Sequence, residues 1–321
     1  MILVLTPNPA LDLTYAVDRT RTGHEHRVQD VRVAAGGKGV NVARVLAALG
    51  QQVTVTGPLG GATGSELRGL LEHDPGVDQA WVGIGRSTRR TVTVLDADSA
   101  TGFNEPGPEL TRDELDRVLQ VTLELAARAS ALVISGSLPR GWSPQFLATL
   151  VPVVQEHGVP VLVDTSGPAL LAAVAAGADL VKPNAREAGE ATDETDPLRA
   201  GRALLAAGAR GVVCSLGADG MLALSPDAPV LRARLDPDRL GYPVTGNPTG
   251  AGDSAVAVLA RAFARHARSA TGAPTAAPIG PEDLRDAVAV SASALSRPIA
   301  GEIDPDLAAT YLPAITTWEV P

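Results

Sequence analysis

The segment Asn247-Pro-Thr-Gly-Ala-Gly-Asp-Ser254 runs directly into a helical stretch over residues 255–266 and is built to receive an anion. Small residues at Gly250, Ala251 and Gly252 let the backbone approach a phosphate closely, and their amides fall at a helix N-terminus, where partial positive charge collects. Phosphoryl transfer needs such donors for the charge that spreads over the transferred group, and a base that orients the attacking hydroxyl and takes its proton. Asp253 is placed to be that base. Taken alone, the same residues fit equally well a Gly-rich turn with Asp as an ordinary helix cap. A second segment, Ala34-Ala-Gly-Gly-Lys-Gly-Val-Asn-Val-Ala-Arg44, leads a double glycine into another helix. Gly36, Gly37 and Gly39 permit close approach to a ligand, Lys38 offers a cation, and Asn41 offers an amide that can both donate to and accept from a sugar hydroxyl. The spacing is not that of a Walker A loop, because Gly and Val follow the lysine. By itself it is also a tight strand-to-helix turn.

These loops need a rigid frame, and the chain supplies one. Short β-branched runs at residues 53–56, 131–135, 160–164, 179–182 and 211–215 alternate with helical stretches over 39–49, 111–129, 144–157 and 197–207. Buried strands alternating with helices predict an α/β fold in three layers, α/β/α, around a mainly parallel central sheet. Two segments break the rhythm: residues 11–33 and 80–104 carry Thr/Val-rich alternation, which predicts a small β-sheet lid. The main domain is then expected to comprise 1–10, 34–79 and 105–321. An exposed face on the lid predicts a homodimer. The Pro/Ala/Gly tract over 268–281 reads as a mobile surface loop without chemistry.

Composition narrows the function. The 321 residues are 45% hydrophobic and 20% charged, with a formal net charge of -9 and no long basic run, which argues against nucleic acid as a partner. No stretch reaches the roughly 20 apolar residues needed to span a bilayer, so no membrane association is expected and the location is read as cytoplasmic. The single cysteine, Cys214, lies in an apolar run and reads as a small buried hydrophobe. The five histidines lack the spacing of a zinc site, and the three tryptophans are too scattered to stack bases.

With both loops in this order, the chain resembles the PfkB, or ribokinase-like, carbohydrate kinase family over essentially its whole length. The opening Thr6-Pro-Asn-Pro-Ala-Leu-Asp12 and the two glycine segments look like the branch that contains 1-phosphofructokinase and tagatose-6-phosphate kinase. The resemblance implies ATP as phosphoryl donor, Mg²⁺ as cofactor and a ketohexose phosphate as acceptor. It implies that Asp12 binds sugar hydroxyls and that Arg89 and Ser137 lie near the acceptor's own phosphate, with Gly37, Lys38 and Asn41 completing that side. On the nucleotide side it implies Lys182, Asn184, Ser215, Gly217 and Gly220, with Glu187 organising Mg²⁺ through water. The helix over 287–296 would flank adenine. Where many relatives have Asp-Thr before Gly-Ala-Gly-Asp, this chain has Asn247-Pro-Thr249, which puts activation by K⁺ in doubt. Two other readings compete: a kinase for an unphosphorylated sugar or nucleoside, which leaves Lys38 and Arg89 without an anion, and a silent sugar-phosphate sensor, which has no need of Asp253.

Overall fold

The computed structural model describes residues 1–28, 30–97, 99–269 and 279–320. Fourteen strands among them form two sheets. The strands are β1 (Ile2–Leu5), β2 (Ala10–Ala16), β3 (Asp30–Gly36), β4 (Val53–Leu59), β5 (Val77–Gly83), β6 (Arg89–Leu95), β7 (Ala100–Asn104), β8 (Ala131–Ser135), β9 (Val161–Asp164), β10 (Leu180–Val181), β11 (Val212–Ser215), β12 (Met221–Leu224), β13 (Val230–Leu235) and β14 (Ile315–Val320). The larger sheet has the order β14-β13-β12-β11-β10-β9-β8-β1-β4-β5. From β5 to β11 every pairing is parallel, and β12, β13 and β14 extend the sheet antiparallel.

Side-chain alternation along the central strands divides the core in two. Ile2, Val4, Val53, Val55, Ala131 and Val133 pack on one face with the helices Lys38–Ala48, Ala251–Ser269 and Pro281–Ala294. Leu3, Leu5, Leu132, Ile134, Val161 and Val163 pack on the other with the helices Gln145–Glu156, Gly167–Ala175 and Pro197–Ala206. Both faces are covered, so the strands are apolar throughout, as buried parallel strands must be. The three-layer fold expected from the sequence is the fold observed.

The strand order reverses at β1, which is flanked by β4 on one side and β8 on the other. Open parallel sheets place their ligand crevice outside the carboxyl ends of the strands at such a point. Asn8 follows β1, Ser137 follows β8, Asp164 ends β9, Lys182 follows β10 and Ser215 ends β11.

The smaller sheet has the order β3-β2-β6-β7. Its extent differs from the expectation: residues 80–83 belong to β5, which pairs with β4 at the edge of the larger sheet. As an edge strand with only Val77 and Val82 buried, one on each face, β5 lacks the continuous apolar run of the central strands, and its mixed pattern mimics that of a projecting strand. Of the 268–281 tract, residues 270–278 lie outside the described residues. Among the described residues no helix is long and apolar enough to cross a membrane.

Candidate active site

Asp253 sits in the first turn of the helix Ala251–Ser269 and is buried. The Asn41 side-chain amide donates to its carboxylate at 2.8 Å. Burial, reinforced by the nearby Asp164 carboxylate, pushes its pKa up to about 6, against the opposing pull of Lys38, the Asn41 hydrogen bond and Lys182. The loop before it is shaped by glycine. Gly250 has φ +87°, which few residues other than glycine adopt, and it packs against Ala300. The Ala251 amide turns back to the Pro248 carbonyl, and Ser254 N–H makes the first full helical bond, to Gly250. Gly252 and Asp253 thus lie in the first turn, where helix amides have no partner within the helix. Ser291, from the helix Pro281–Ala294, donates to the Ala251 carbonyl at 2.8 Å and brings that helix to the loop.

Asp164, which sequence reasoning missed, is the hub that joins Lys38, Lys182 and Ser135. Its carboxylate is buried and takes the Lys182 ammonium at 3.3 Å, the Lys38 ammonium at 3.5 Å and the Ser135 hydroxyl at 3.0 Å. Burial opposes its charge, but Lys182 and Lys38 outweigh that and hold its pKa below the usual carboxylate range. Lys182 is itself buried, and the outward direction at Gly252 Cα points at its ammonium, 3.7 Å from where a Cβ would stand. Lys38 also lies 4.0 Å from Glu187. Lys38, expected with Arg89 at the acceptor's phosphate, thus has its ammonium near the carboxylates of Asp164 and Glu187, with Asp253 also acting on it.

Asn184 and Glu187 form a reciprocal capping box on the helix Ala185–Thr192, at 3.0 and 2.9 Å, and Asn184 bridges to Ser215. Gly217 and Gly220, expected together at the nucleotide, differ in role. A Cβ on Gly220 would collide with the Ala233 carbonyl, so packing against β13 explains that glycine, whereas Gly217, with φ +63°, faces open space.

Asp12, Arg89 and Ser137, expected on the acceptor side, lie close together. Asp12 accepts from the Thr91 hydroxyl at 2.6 Å, and its pKa is raised by burial, an effect the Thr91 bond and Arg89 partly offset. A Cβ on Gly36 would collide with the Asp12 carboxylate, while Gly37, with φ +90°, packs on the backbone of residues 8–10. Arg89 donates to the carbonyls of Asn8 and Glu105 at 3.2 and 3.3 Å, and Asn8 donates to the Ser137 hydroxyl at 3.2 Å. Asn8, also missed from the sequence, thereby ties Arg89 and Ser137 into one unit. A cavity of about 270 Å³ opens beside Arg89, lined by Arg86, Ser87, Glu105 and Pro106.

These groups lie together at the carboxyl ends of the strands with a buried carboxylate in their middle, and residues 6–297 match the pfkB family carbohydrate kinases. The chain belongs to that family. Its fold and family make it an ATP-dependent sugar kinase. Phosphofructokinase-2 from Escherichia coli, solved in complex with fructose-6-phosphate, is 31% identical with a TM-score of 0.83, covering 97% of this chain and 98% of that one. The same enzyme solved with potassium gives 30% identity and a TM-score of 0.85 over the same shares. A possible 1-phosphofructokinase from Thermotoga maritima shares the fold at 22% identity, with a TM-score of 0.84 over 100% of this chain and 99% of that one. In this chain the Asn247 amide accepts from Thr249 N–H at 3.1 Å within its own loop and donates at 3.3 Å to the carbonyl of Pro298, beyond the helix Pro281–Ala294.

The residues suit Mg²⁺ carried in with nucleotide. Among the described residues no group of three or more His, Cys, Asp or Glu side chains is arranged to hold a metal alone. The hard carboxylate oxygens of Glu187 and Asp164 fit an ion that keeps most of its waters and takes the rest of its ligands from phosphates.

Proposed function

We propose that this kinase transfers the γ-phosphoryl group of ATP to a hydroxymethyl group of a ketohexose phosphate, giving a bisphosphate, with Asp253 as general base. The observation that carries the reading is the Asp253 carboxylate: buried, raised to about 6, oriented by Asn41, and set at a helix N-terminus beside Lys182. A base with a pKa near the working pH transfers protons efficiently. The acceptor oxygen attacks the γ-phosphorus, the bond to ADP breaks, and the hydroxyl proton passes to Asp253. Asp12 orients the sugar through its hydroxyls, and Arg89 with Ser137 meets the phosphate the sugar already carries. ATP lies along Lys182, Asn184, Ser215 and Gly217, toward the Gly250–Gly252 loop. Glu187 and Asp164 would hold Mg²⁺, largely through water, and the ion would supply charge neutralisation on the donor phosphates. Closure of the smaller sheet over the sugar excludes water and suppresses ATP hydrolysis.

A phosphorylated acceptor is favoured because Arg89 stands beside the acceptor residue Asp12 and next to an open cavity, with its planar fork suited to a phosphate. The test is ADP release across a panel of phosphorylated and free ketohexoses. Charge-assisted contacts worth roughly 1.5 to 3 kcal/mol each predict that kcat/KM for free fructose or tagatose falls ~10²- to 10⁴-fold below that for the best hexose phosphate. Arg89→Ala should narrow that ratio by at least ~10-fold, because only the phosphosugar loses a partner. Preference for a free sugar or a nucleoside would overturn the acceptor assignment, and a ratio untouched by Arg89→Ala would remove Arg89 from it.

A further inference from the structure

Asn41 and Arg44 lie three residues apart on the helix Lys38–Ala48 and are therefore neighbours on its surface. The Asn41 amide donates to Asp253 at 2.8 Å, and its buried Oδ1 has no hydrogen-bond partner among the described residues. Residues 297–304, which follow the helix Pro281–Ala294, form a strap closed on itself by the ion pair of Arg297 and Asp304 at 2.9 Å. Two consecutive residues of the strap meet the site. Ala300 packs on Gly250, its Cα and Cβ each 3.0 Å from where a Cβ on that glycine would stand. Gly301, at φ +82°, packs on Asn41: from where its Cβ would stand, the Asn41 Cα is 3.0 Å away and the Oδ1 3.1 Å. Only glycine lets the strap lie this close. One short segment thus touches both the glycine turn before Asp253 and the side chain that holds its carboxylate.

Arg44 fastens that segment. Its Nη1 donates to the Ala300 carbonyl at 3.1 Å, its Nη2 lies 3.5 Å from the Glu302 carboxylate, and its Nε donates at 2.8 Å to Asp74, in the turn after the helix Gly61–Leu71. The rigid guanidinium fork can make all three contacts at once, and only 14% of the side chain is exposed, so water screens them little. A bond to a main-chain carbonyl fixes the backbone itself, here at the residue that packs on Gly250 and next to the one that packs on Asn41. We propose that Arg44 is a positioning residue for phosphoryl transfer: by holding the Ala300 carbonyl it keeps the strap against Gly250 and Asn41, and so fixes the glycine turn and the amide that orients Asp253. This rests on the reading of Asp253 as the base and adds what sets its place. Reacting groups displaced by about 1 Å cost ~10²-fold in rate, whereas ground-state binding of ATP and sugar, spread over many contacts, changes little.

The test is steady-state kinetics on the parent, Arg44→Met, Gly301→Ala and the double variant, with ATP and the best acceptor from the sugar panel, each protein shown by thermal melting to be folded at the assay temperature. Arg44→Met removes the fastening, and Gly301→Ala pushes the strap off Asn41 while leaving the charge of Arg44 in place. Each should lower kcat at least ~10-fold with both KM values within ~3-fold of the parent. Because both release the same strap, the double variant should fall within ~3-fold of the weaker single variant, where independent damage would multiply to ~10²-fold. Arg44→Lys keeps the charge beside Asp74 and Glu302 without the planar fork, and it replaces Arg44→Met if that variant does not fold, with kcat down at least ~3-fold. A merely structural role for Arg44 would lower the melting temperature and leave kcat of the folded protein intact, which overturns the proposal, as do multiplicative losses in the double variant. A rise in acceptor KM with kcat unchanged also overturns it, since Arg44 would then act through its charge on Asp12. Failure of the base assignment shows separately, as near-normal turnover of Asp253→Asn, and an error in the acceptor class shows only in the sugar panel.

Discussion

Asp253 carries a conflict between folding and chemistry that can be measured. In the unfolded chain its carboxyl titrates near the ordinary 3.8, and in the fold near 6. The fold therefore binds the extra proton between those values, stability falls as pH rises through that window, and above about 6 the full penalty of an ionised buried carboxylate is present. Asp253→Asn should lower kcat by at least ~10²-fold, the usual worth of a general base, yet raise stability at pH 8 by roughly 1–3 kcal/mol, seen as a higher Tm. Near-normal turnover in that variant would exclude Asp253 as the base. The kcat/KM profile of the parent should fall on the acid side with a midpoint close to 6, where the base protonates. Asn41→Ala removes a hydrogen bond that favours the charged form, so that midpoint should move to higher pH. Asp253 and its glycines were legible because a local run of sequence builds the whole feature. Asp164 was not. One carboxylate ending an apolar strand looks like any polar strand terminus, and only the fold brings Lys38 and Lys182 to it. Lys38 was legible as a cation, but its direction was not, since its partners lie on other elements.

At the level of elements, the parallel core was readable because strands buried on both faces leave uninterrupted apolar runs, and the helices over 39–49 and 197–207 matched their observed spans to within a residue at each end. The antiparallel extension from β12 to β14 was missed. β13 and the edge strand β14 are largely half-buried, so their alternation lacks the contrast of the centre. Glycines in the turn from Gly217 to Gly220 show how local sequence conflates two roles. Gly220→Ala places a Cβ against the Ala233 carbonyl at φ +84° and should destabilise the fold by roughly 2–4 kcal/mol, with nucleotide affinity following only as the folded fraction falls. Gly217→Ala meets nothing within 4 Å and should cost only about 1 kcal/mol for its positive φ, yet weaken ATP binding severalfold by placing a methyl where the nucleotide lies. Denaturant melts beside nucleotide titrations separate the two. If Gly220→Ala melts like the parent, β13 does not need that glycine, and if Gly217→Ala binds ATP unchanged, the turn does not line the nucleotide site.

For the whole molecule, the smaller sheet has two chemically distinct faces, and each implies a different neighbour. Register and alternation put Asp12, Thr14, Arg89, Thr91 and Thr93 on one face, which is polar and belongs to the site. The other carries Leu11, Leu13, Tyr15, Val31, Val33, Val92, Val94 and Phe103. Leu11, Leu13 and Val33 at its base pack against the core, but farther out Val31 is 48% and Phe103 60% exposed. Apolar side chains this exposed on a projecting sheet mark an association surface more often than a bare one. A second copy of the chain is the occupant we expect, because a two-fold axis lets one such face cover its twin. The parent should therefore sediment as a dimer at micromolar concentration. Val31→Asp with Phe103→Asp, which buries two like charges opposite their copies, should shift the equilibrium toward monomer by at least ~10²-fold in Kd. Because the same sheet holds Asp12 and Arg89, the monomeric variant should show a higher KM for the acceptor while its affinity for ATP stays near that of the parent. A parent that is monomeric at high concentration, or a double variant that remains dimeric, would move the interface off this face and leave the exposed Phe103 unexplained.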